Sequence, residues 1–409
     1  PCLMKDNATK IGSIRVTPAS IPVHAPLRYS TGVDTAIHRL VIEIETEDGI
    51  IGLGECNAGG SREACLKELI PLVVGTDPFN TERLRWQVGN PVEAKLFGSV
   101  NHAFAAIEMA CMDIQGKIIG RPIYDLLGGQ IRKDIPLAAY LFYRYSSKGK
   151  GGEISNAKDM AAYAMKEVNS HGFQTLKFKA GVLTPYEELD TIRELRNQFP
   201  NAKIRVDPNG AWSVGTTLSL AMKMRELDLE YLEDPVWGIR GMARVNSKCP
   251  WLPLASNMSV VTPDDFASAI ELKAVDAILV DLHFYGGLRQ ARHAAATLET
   301  FQVDVSMHSQ GEFGISMAAQ LHLASVIPNL SYAADAHYHH LVDDIIDNGM
   351  LNIKEGAMAV PDKPGLGVSL DQDKLKEFSQ LAKKYRDAKE TSITGDPLLS
   401  QHVPLLPRW

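Results

Sequence analysis

The stretch TLKFKAG, residues 175–181, has the apolar and aromatic content of a short strand, yet it sets Lys177 and Lys179 either side of Phe178. Positions i and i+2 of a strand share a face, so two ammonium groups stand side by side and repel. The same β-like grammar recurs outward from it. IPLAAYLFY (135–143) precedes it, and KIRVDPNG (203–210), LEYLEDP (229–235), PLASN (253–257), AILVDLHF (277–284), VDVSMHS (303–309) and SYAADAH (331–337) follow. Helical stretches separate these runs, among them 184–198, 214–226, 262–272 and 286–299. Eight βα units in about 230 residues specify an α/β fold, a (β/α)8 barrel of TIM type.

Polar residues at the strand ends keep the period. Lys179 to Asp207 is 28 positions, to Glu233 another 26, and to Asn257 another 24. Asp281 follows after 24, His308 after 27 and Asp335 after 27. One polar residue closes each strand at its carboxyl end, the face on which barrel enzymes carry their chemistry.

Upstream the pattern is different. IGSIRVTPASIPV (11–23) and HRLVIEIETEDGIIGLGEC (38–56) alternate like a half-buried meander with a turn at EDG. Helical periodicity follows in SREACLKELIPLVVG (61–75) and VNHAFAAIEMACMDIQGKIIG (100–120), the second stopped by Gly120 and Pro122. Strands then helices read as a separate α+β capping domain over residues 1–133, with the barrel over 134–365. The segment 366–409, with an acidic-basic helix at 372–389 and a tail ending PLLPRW, is expected to return to the cap and complete it.

The 409 residues are 45% hydrophobic and 22% charged, with net charge −7 and no long basic run. Nucleic acid and anionic membranes are therefore not expected partners. Five scattered cysteines without CxxC spacing fit a reducing compartment. With no signal-like start and no run of 18 apolar residues, a cytoplasmic protein is expected.

Singly, each strand-end residue has a structural explanation: KFK as a solvated face, DPNG as a turn, His308 as a core histidine. Their shared register argues otherwise. Asp207, Glu233 and Asn257 close three successive strands and offer hard oxygen donors, a set suited to Mg2+. On one side lies the lysine pair; on the other, Asp281 and His308 form a carboxylate–imidazole pair that fixes the ring tautomer and frees the other nitrogen as a base. Two bases flanking a cation suit abstraction of a proton next to a carboxylate. Lys177 and the cation would then lower the pKa of Lys179, leaving Lys177 charged to hydrogen-bond an enolate oxygen. DAHYHH (335–340) offers a rival site, with His337, His339 and His340 as transition-metal ligands.

The order KxK, Asp, Glu, Asn, Asp, His under an α+β cap resembles the enolase superfamily. AYLFY (139–143), FKAGVL (178–183), DPNGAWS (207–213), SNM (256–258), DLHF (281–284), HS (308–309), DAH (335–337) and VPDKPGLGV (360–368) look like its glucarate dehydratase group, over essentially the whole chain. The resemblance implies Mg2+ on Asp207, Glu233 and Asn257, with Lys179 as one base and His308, held by Asp281, as the other. It implies acid-sugar contacts from Lys177, Tyr143, Asn209, His337 and Arg408, whose guanidinium matches a carboxylate.

Some segments depart from the group. PVWGIRGM (235–242) lacks a further acidic residue, which leaves Glu233 as the ligand. HSQGEFG (308–314) puts Gln310 where an amide donor is expected, and PLRYSTGVDTAIHR (26–39) offers Arg28, Tyr29 and Thr31 to the distal end of a substrate. The implied activity is Mg2+-dependent dehydration of a six-carbon aldarate such as D-glucarate to a 2-keto-3-deoxy acid, through α-proton abstraction and loss of the β-hydroxyl. Dehydration of galactarate or an aldonate, epimerisation on the same scaffold, and an inactive binding barrel are the alternatives. Barrels of this kind often assemble, so a homo-oligomer is expected.

Overall fold

The computed structural model describes residues 9–88, 98–147, 152–387 and 409. The chain begins with β1 (Ile11–Tyr29), β2 (Gly32–Thr46) and β3 (Ile51–Asn57), then α1 (Gly60–Val73), α2 (Thr81–Val88), α3 (Ser99–Ile119) and α4 (Ile123–Leu126). β1, β2 and β3 form an antiparallel meander in which Ile14 pairs with Ile44 and Leu40 with Cys56. Their apolar face is covered by α3, which ends where Gly120 takes a left-handed conformation at φ 70°. α3 lies so close to β3 that a Cβ on Gly54 would come within 2.0 Å of the Ala106 carbonyl oxygen.

After the edge strand β4 (Asp134–Pro136), the barrel staves alternate with helices: β5 (Ala138–Arg144), α5 (Ala157–His171), β6 (Thr175–Lys179), α6 (Pro185–Gln198), β7 (Lys203–Asp207), α7 (Val214–Met224), β8 (Tyr231–Glu233), α8 (Ile239–Lys248), β9 (Leu254–Ser256), α9 (Phe266–Glu271), β10 (Ala277–Val280), α10 (Leu288–Thr300), β11 (Asp304–Met307) and α11 (Gly314–Ser325). β5 to β11 pair in parallel, each with its sequence neighbour. This is the TIM-type barrel that the alternating grammar specifies.

The eighth stave differs from expectation. SYAADAH is no regular strand: Ser331 N–H reaches Val305 O, Asp335 N–H reaches Met307 O, and Ala334 exchanges bonds with Pro136 and Ala138. Bonds divided singly between β11 and β5 close the ring without a continuous ladder. No α-helix follows among residues 336–371. That segment runs back to the cap, where Val342 N–H donates to Pro22 O, and forms β12 (Ile353–Lys354) and β13 (Ala357–Ala359), the latter paired with β4. α12 (Gln372–Asp387) then lies on the cap, with Gln372 bonded to Glu43 and Arg386 to Glu63.

Cap and barrel are joined at the loops that bear the candidate site. β1 runs on to pair with β5, Leu27 opposite Arg144, so one ten-stranded sheet spans both. Two cap glutamates serve as N-terminal caps for barrel helices. Glu55 on β3 accepts from Phe313 N and Ser316 N, both at 2.9 Å, at the start of α11. Glu108 on α3 accepts from Leu288 N at 2.5 Å at the start of α10. An acidic group at a helix N-terminus meets unpaired N–H groups and the positive end of the dipole. Glu55 is itself held by Arg39 at 2.6 Å in a fully buried pair.

Gly54→Ala is therefore expected to overpack the α3–β3 contact and cost about 1–3 kcal/mol. The check is the denaturation midpoint; an unchanged midpoint would show that α3 is free to move outward.

Candidate functional site

Alternation along the staves decides which side chains enter the barrel. Lys177 and Lys179, Arg205 and Asp207, Tyr231 and Glu233, and Ala277, Leu279 and Asp281 share the inward parity. Tyr140 and Phe142 do the same on β5. The lysines lie over the Tyr140 ring, 5.0 Å and 5.5 Å from its centroid.

Carboxylates resolve the lysine repulsion. Lys177 Nζ, fully buried, lies 2.5 Å from Asp335 Oδ2, 2.5 Å from Glu233 Oε2 and 3.6 Å from Asp207 Oδ2. Burial works against its charge, but Asp335 and Glu233 outweigh this and raise its pKa well above the ordinary lysine value. Lys179 Nζ donates to Asp207 Oδ2 and to the Asn209 side-chain oxygen. Asp207 Oδ1 accepts from Asn209 N at 2.9 Å, a turn in which Asn209 takes φ 49°, tolerated by asparagine. Burial would raise the Asp207 pKa; Lys179 and Lys177 bring it below the usual carboxylate value.

Glu233 is different. It is fully buried, and neither carboxylate oxygen makes a hydrogen bond, since Lys177 approaches Oε2 outside hydrogen-bond geometry. Burial, with the adjacent Asp207, drives its pKa well above normal. Such a carboxylate is costly unless a cation completes its surroundings. Asn257, one residue beyond β9, is held by Asp234, which accepts from Asn257 N at 2.8 Å, Met258 N at 2.9 Å and Ser256 Oγ at 2.6 Å. Its side-chain amide makes no hydrogen bond among the described residues. Two carboxylates and one amide oxygen thus close neighbouring staves, a donor set that fits Mg2+. Among the described residues no three His, Cys, Asp or Glu side chains converge as a metal cluster.

Across the barrel mouth, His308 Nδ1 lies 2.7 Å from Asp281 Oδ2, and Gln310 donates to the same oxygen at 2.6 Å. Asp281 Oδ1 accepts from His283 N at 2.7 Å and Phe284 N at 3.2 Å. Burial opposes ionisation of Asp281, but the side chains of His283 and His308 beside it bring its pKa well below normal. An ionised Asp281 accepts a hydrogen bond from Nδ1–H, which in the neutral ring puts the lone pair of His308 on Nε2. Phe284 stacks on the imidazole, centroids 5.8 Å apart. His283 Nε2 meets Arg39 at 3.2 Å and Ser316 at 3.1 Å, which ties this loop to the capping pair Arg39–Glu55.

Some of the expected substrate contacts are placed otherwise. Tyr143 faces outward: its hydroxyl bonds Thr191 on α6 at 2.7 Å, because odd positions of β5 point to the helices. Tyr140 is the aromatic that enters the site, with its hydroxyl buried and without a hydrogen-bond partner among the described residues. Tyr29 bonds Asp34 at 3.0 Å within its own hairpin, and Arg28 lies over the Tyr145 ring at 4.4 Å. The adjoining Ser30 reaches the site rim, bonding Asn209 O at 3.2 Å. Gln310 is engaged by Asp281 and so steadies the dyad. Arg408 lies outside the described residues. The three histidines of DAHYHH do not meet at one point: His337 bonds Ser309, while the His339 and His340 rings lie 4.1 Å apart, His340 bonding Tyr140 O at 2.8 Å.

The sequence reading missed Asp234, Glu55 and Glu312, and it used Asp335 only to mark a stave. Asp234 stood next to Glu233 in EDP; Glu55 pairs with residues about 260 positions away, for which no local pattern exists. A cavity of about 820 Å³ lies between α5 and residues 338–353; His339 and His340 line it, but none of the strand-end residues Lys179, Asp207, Glu233, Asn257, Asp281 and His308 does. Charge and hydrogen bonding locate the site; volume does not.

Comparison with known proteins agrees with this geometry. Residues 11–128 match the mandelate racemase / muconate lactonizing enzyme N-terminal domain, and residues 159–374 match the enolase C-terminal domain-like family. A probable glucarate dehydratase of Streptomyces coelicolor is 34% identical over 98% of this chain and 99% of its own length. An N-succinyl-L-Arg/Lys racemase of Bacillus cereus is 27% identical over 90% of this chain and 98% of its own. An enolase from Mycobacterium smegmatis complexed with tartrate superposes with a TM-score of 0.91 at 35% identity, covering 99% of this chain and 100% of that one. Another from Pseudomonas fluorescens, with bound magnesium, potassium and tartrate, gives 0.90 at 33% identity, covering 98% and 100%. With its interior lysine pair, buried acidic set and aspartate-held histidine, the chain belongs to the enolase superfamily.

Proposed function

We propose that the chain catalyses dehydration of an acid sugar, D-glucarate or a related aldarate, to a 2-keto-3-deoxy acid. The observation that carries this reading is the order around the barrel: Lys179 on β6, Asp207 and Glu233 at the ends of β7 and β8, Asn257 just after β9, then Asp281 and His308 after β10 and β11. A group seated near the donors has an amine on one side and an imidazole on the other. The glucarate dehydratase relative supports the substrate class.

Asp207, Glu233 and Asn257 would hold Mg2+, which when bound supplies positive charge to a substrate carboxylate and so acidifies the neighbouring C–H. Lys179 or His308 removes the α-proton, according to the configuration at that carbon. Lys177 stays charged between Asp335 and Glu233 and stabilises negative charge as it develops. His308, once protonated at Nε2 and still held by Asp281, is placed to deliver that proton to the departing β-hydroxyl. Asn209 orients the Lys179 amine. Opposed bases also suit epimerisation, the second reading, which the racemase relative supports.

A panel of mono- and diacid sugars with Mg2+ should yield a 2-keto acid trapped as its semicarbazone; products that keep every hydroxyl but change configuration would favour epimerisation. Lys179→Ala and His308→Asn should each lower turnover of at least one α-epimer by about 10²–10⁴-fold while Mg2+ affinity persists. Full activity of either variant on all epimers contradicts the two-base reading. Glu233→Gln should weaken Mg2+ binding in calorimetry by at least about tenfold; unchanged affinity removes Glu233 from the donor set.

A further inference from the structure

Arg144 ends β5 and is only 8% exposed, yet its guanidinium makes no hydrogen bond or ion pair among the described residues, and its buried Nε has no partner. A guanidinium carries five N–H donors and does not shed its charge by deprotonation. Left unpaired in the interior, it is costly. The group lies over the Tyr163 ring of α5, with Cζ 4.1 Å from the ring centroid. Stacking engages the flat face; the N–H donors lie along the edge.

Arg144 and Tyr163 both line the cavity of about 820 Å³ between α5 and residues 338–353. His339 lines it too, with neither ring nitrogen hydrogen-bonded among the described residues. Burial, with His171 beside it, brings the His339 pKa down to about 3, so the ring is neutral and offers one donor and one acceptor. Arg144 is close enough to act on both the His339 ring and the Glu167 carboxylate. The wall therefore carries a cation and an imidazole whose hydrogen-bonding capacity the protein leaves unused.

We propose that this cavity is a second ligand site, separate from the barrel mouth, in which Arg144 takes the carboxylate of a small hydroxylated acid. The edge of a guanidinium and a carboxylate match as a two-point fork. A phosphate would fit the same fork, but the wall charge selects against it. Glu153, Asp159 and Glu167 line the cavity against Arg144 and Lys166, which favours a singly charged head over a dianion. Ser170, Asn352 and the neutral His339 ring supply partners for hydroxyl groups along the body of the ligand.

Calorimetry of the full-length protein with Mg2+, using D-gluconate as the probe, tests this. Arg144→Met should lose, or weaken at least about tenfold, one binding event that Glu233→Gln retains. Inorganic phosphate at equal concentration should fail to displace gluconate from Glu233→Gln. Thermal unfolding separates lost binding from lost folding. Ligand-free Arg144→Met, relieved of an unpaired buried charge, should unfold at or above the wild-type midpoint, and gluconate should raise the midpoint of Glu233→Gln but not that of Glu233→Gln/Arg144→Met. Unchanged binding in Arg144→Met, or absence of gluconate binding in Glu233→Gln, overturns the site. A lowered midpoint of ligand-free Arg144→Met assigns the guanidinium a structural role and overturns it as well. Displacement by phosphate overturns the carboxylate assignment.

Discussion

A carboxylate that cannot be satisfied by protein governs this barrel. Asp207, Glu233 and Asp335 are buried within reach of one lysine, Lys177, while Lys179 takes Asp207 and Arg205 takes Asp335 at 3.4 Å. The arrangement uses every nearby cation and still leaves both oxygens of Glu233 without a hydrogen bond. Desolvated charges are tolerated when paired and hydrogen-bonded; Glu233 is ion-paired with Lys177 but has no hydrogen bond among the described residues. A barrel kept only for stability would gain from an apolar residue there. The lysine pair, the acidic set and the loops above them make sense together if a further cation is part of the working site.

The small domain has a structural task besides covering the mouth. Glu55 reaches from β3 to cap α11, whose preceding loop holds His308, and Glu108 reaches from α3 to cap α10, whose preceding loop holds Asp281. Arg39 and His283 link the first of these caps to the aspartate loop. Movement of the cap would therefore change the Asp281–His308 geometry, so cap and dyad act as one unit. The same closeness explains Gly287: at φ 124°, a Cβ there would lie 2.1 Å from the Glu108 carboxylate.

Much of this was legible in the sequence, for reasons that can be named. A strand-end residue recurring every 24 to 28 positions is a one-dimensional trace of a three-dimensional ring, and it located Lys179, Asp207, Glu233, Asn257, Asp281 and His308. Facing within a strand was harder. The resemblance implies Tyr143 as a contact, whereas parity with the strand partners brings Tyr140 into the site; the strand start is not visible without pairing, and a slip of one residue reverses every side chain. Interactions between distant segments left no local mark. Glu55 looks like an ordinary meander residue, and Glu312 reads as one more loop acid until Ser309 and His337 are brought beside it. The irregular eighth stave escaped notice because its hydrogen bonds are divided between neighbours, a property of closure and not of composition.

The central claim is that Asp207, Glu233 and Asn257 share a divalent cation. Anomalous scattering from crystals of the full chain soaked in Mn2+ tests it most directly. The account predicts one strong peak at coordination distance from a carboxylate oxygen of Asp207, one of Glu233 and the amide oxygen of Asn257. A peak elsewhere in the molecule, or none at saturating Mn2+, would contradict it.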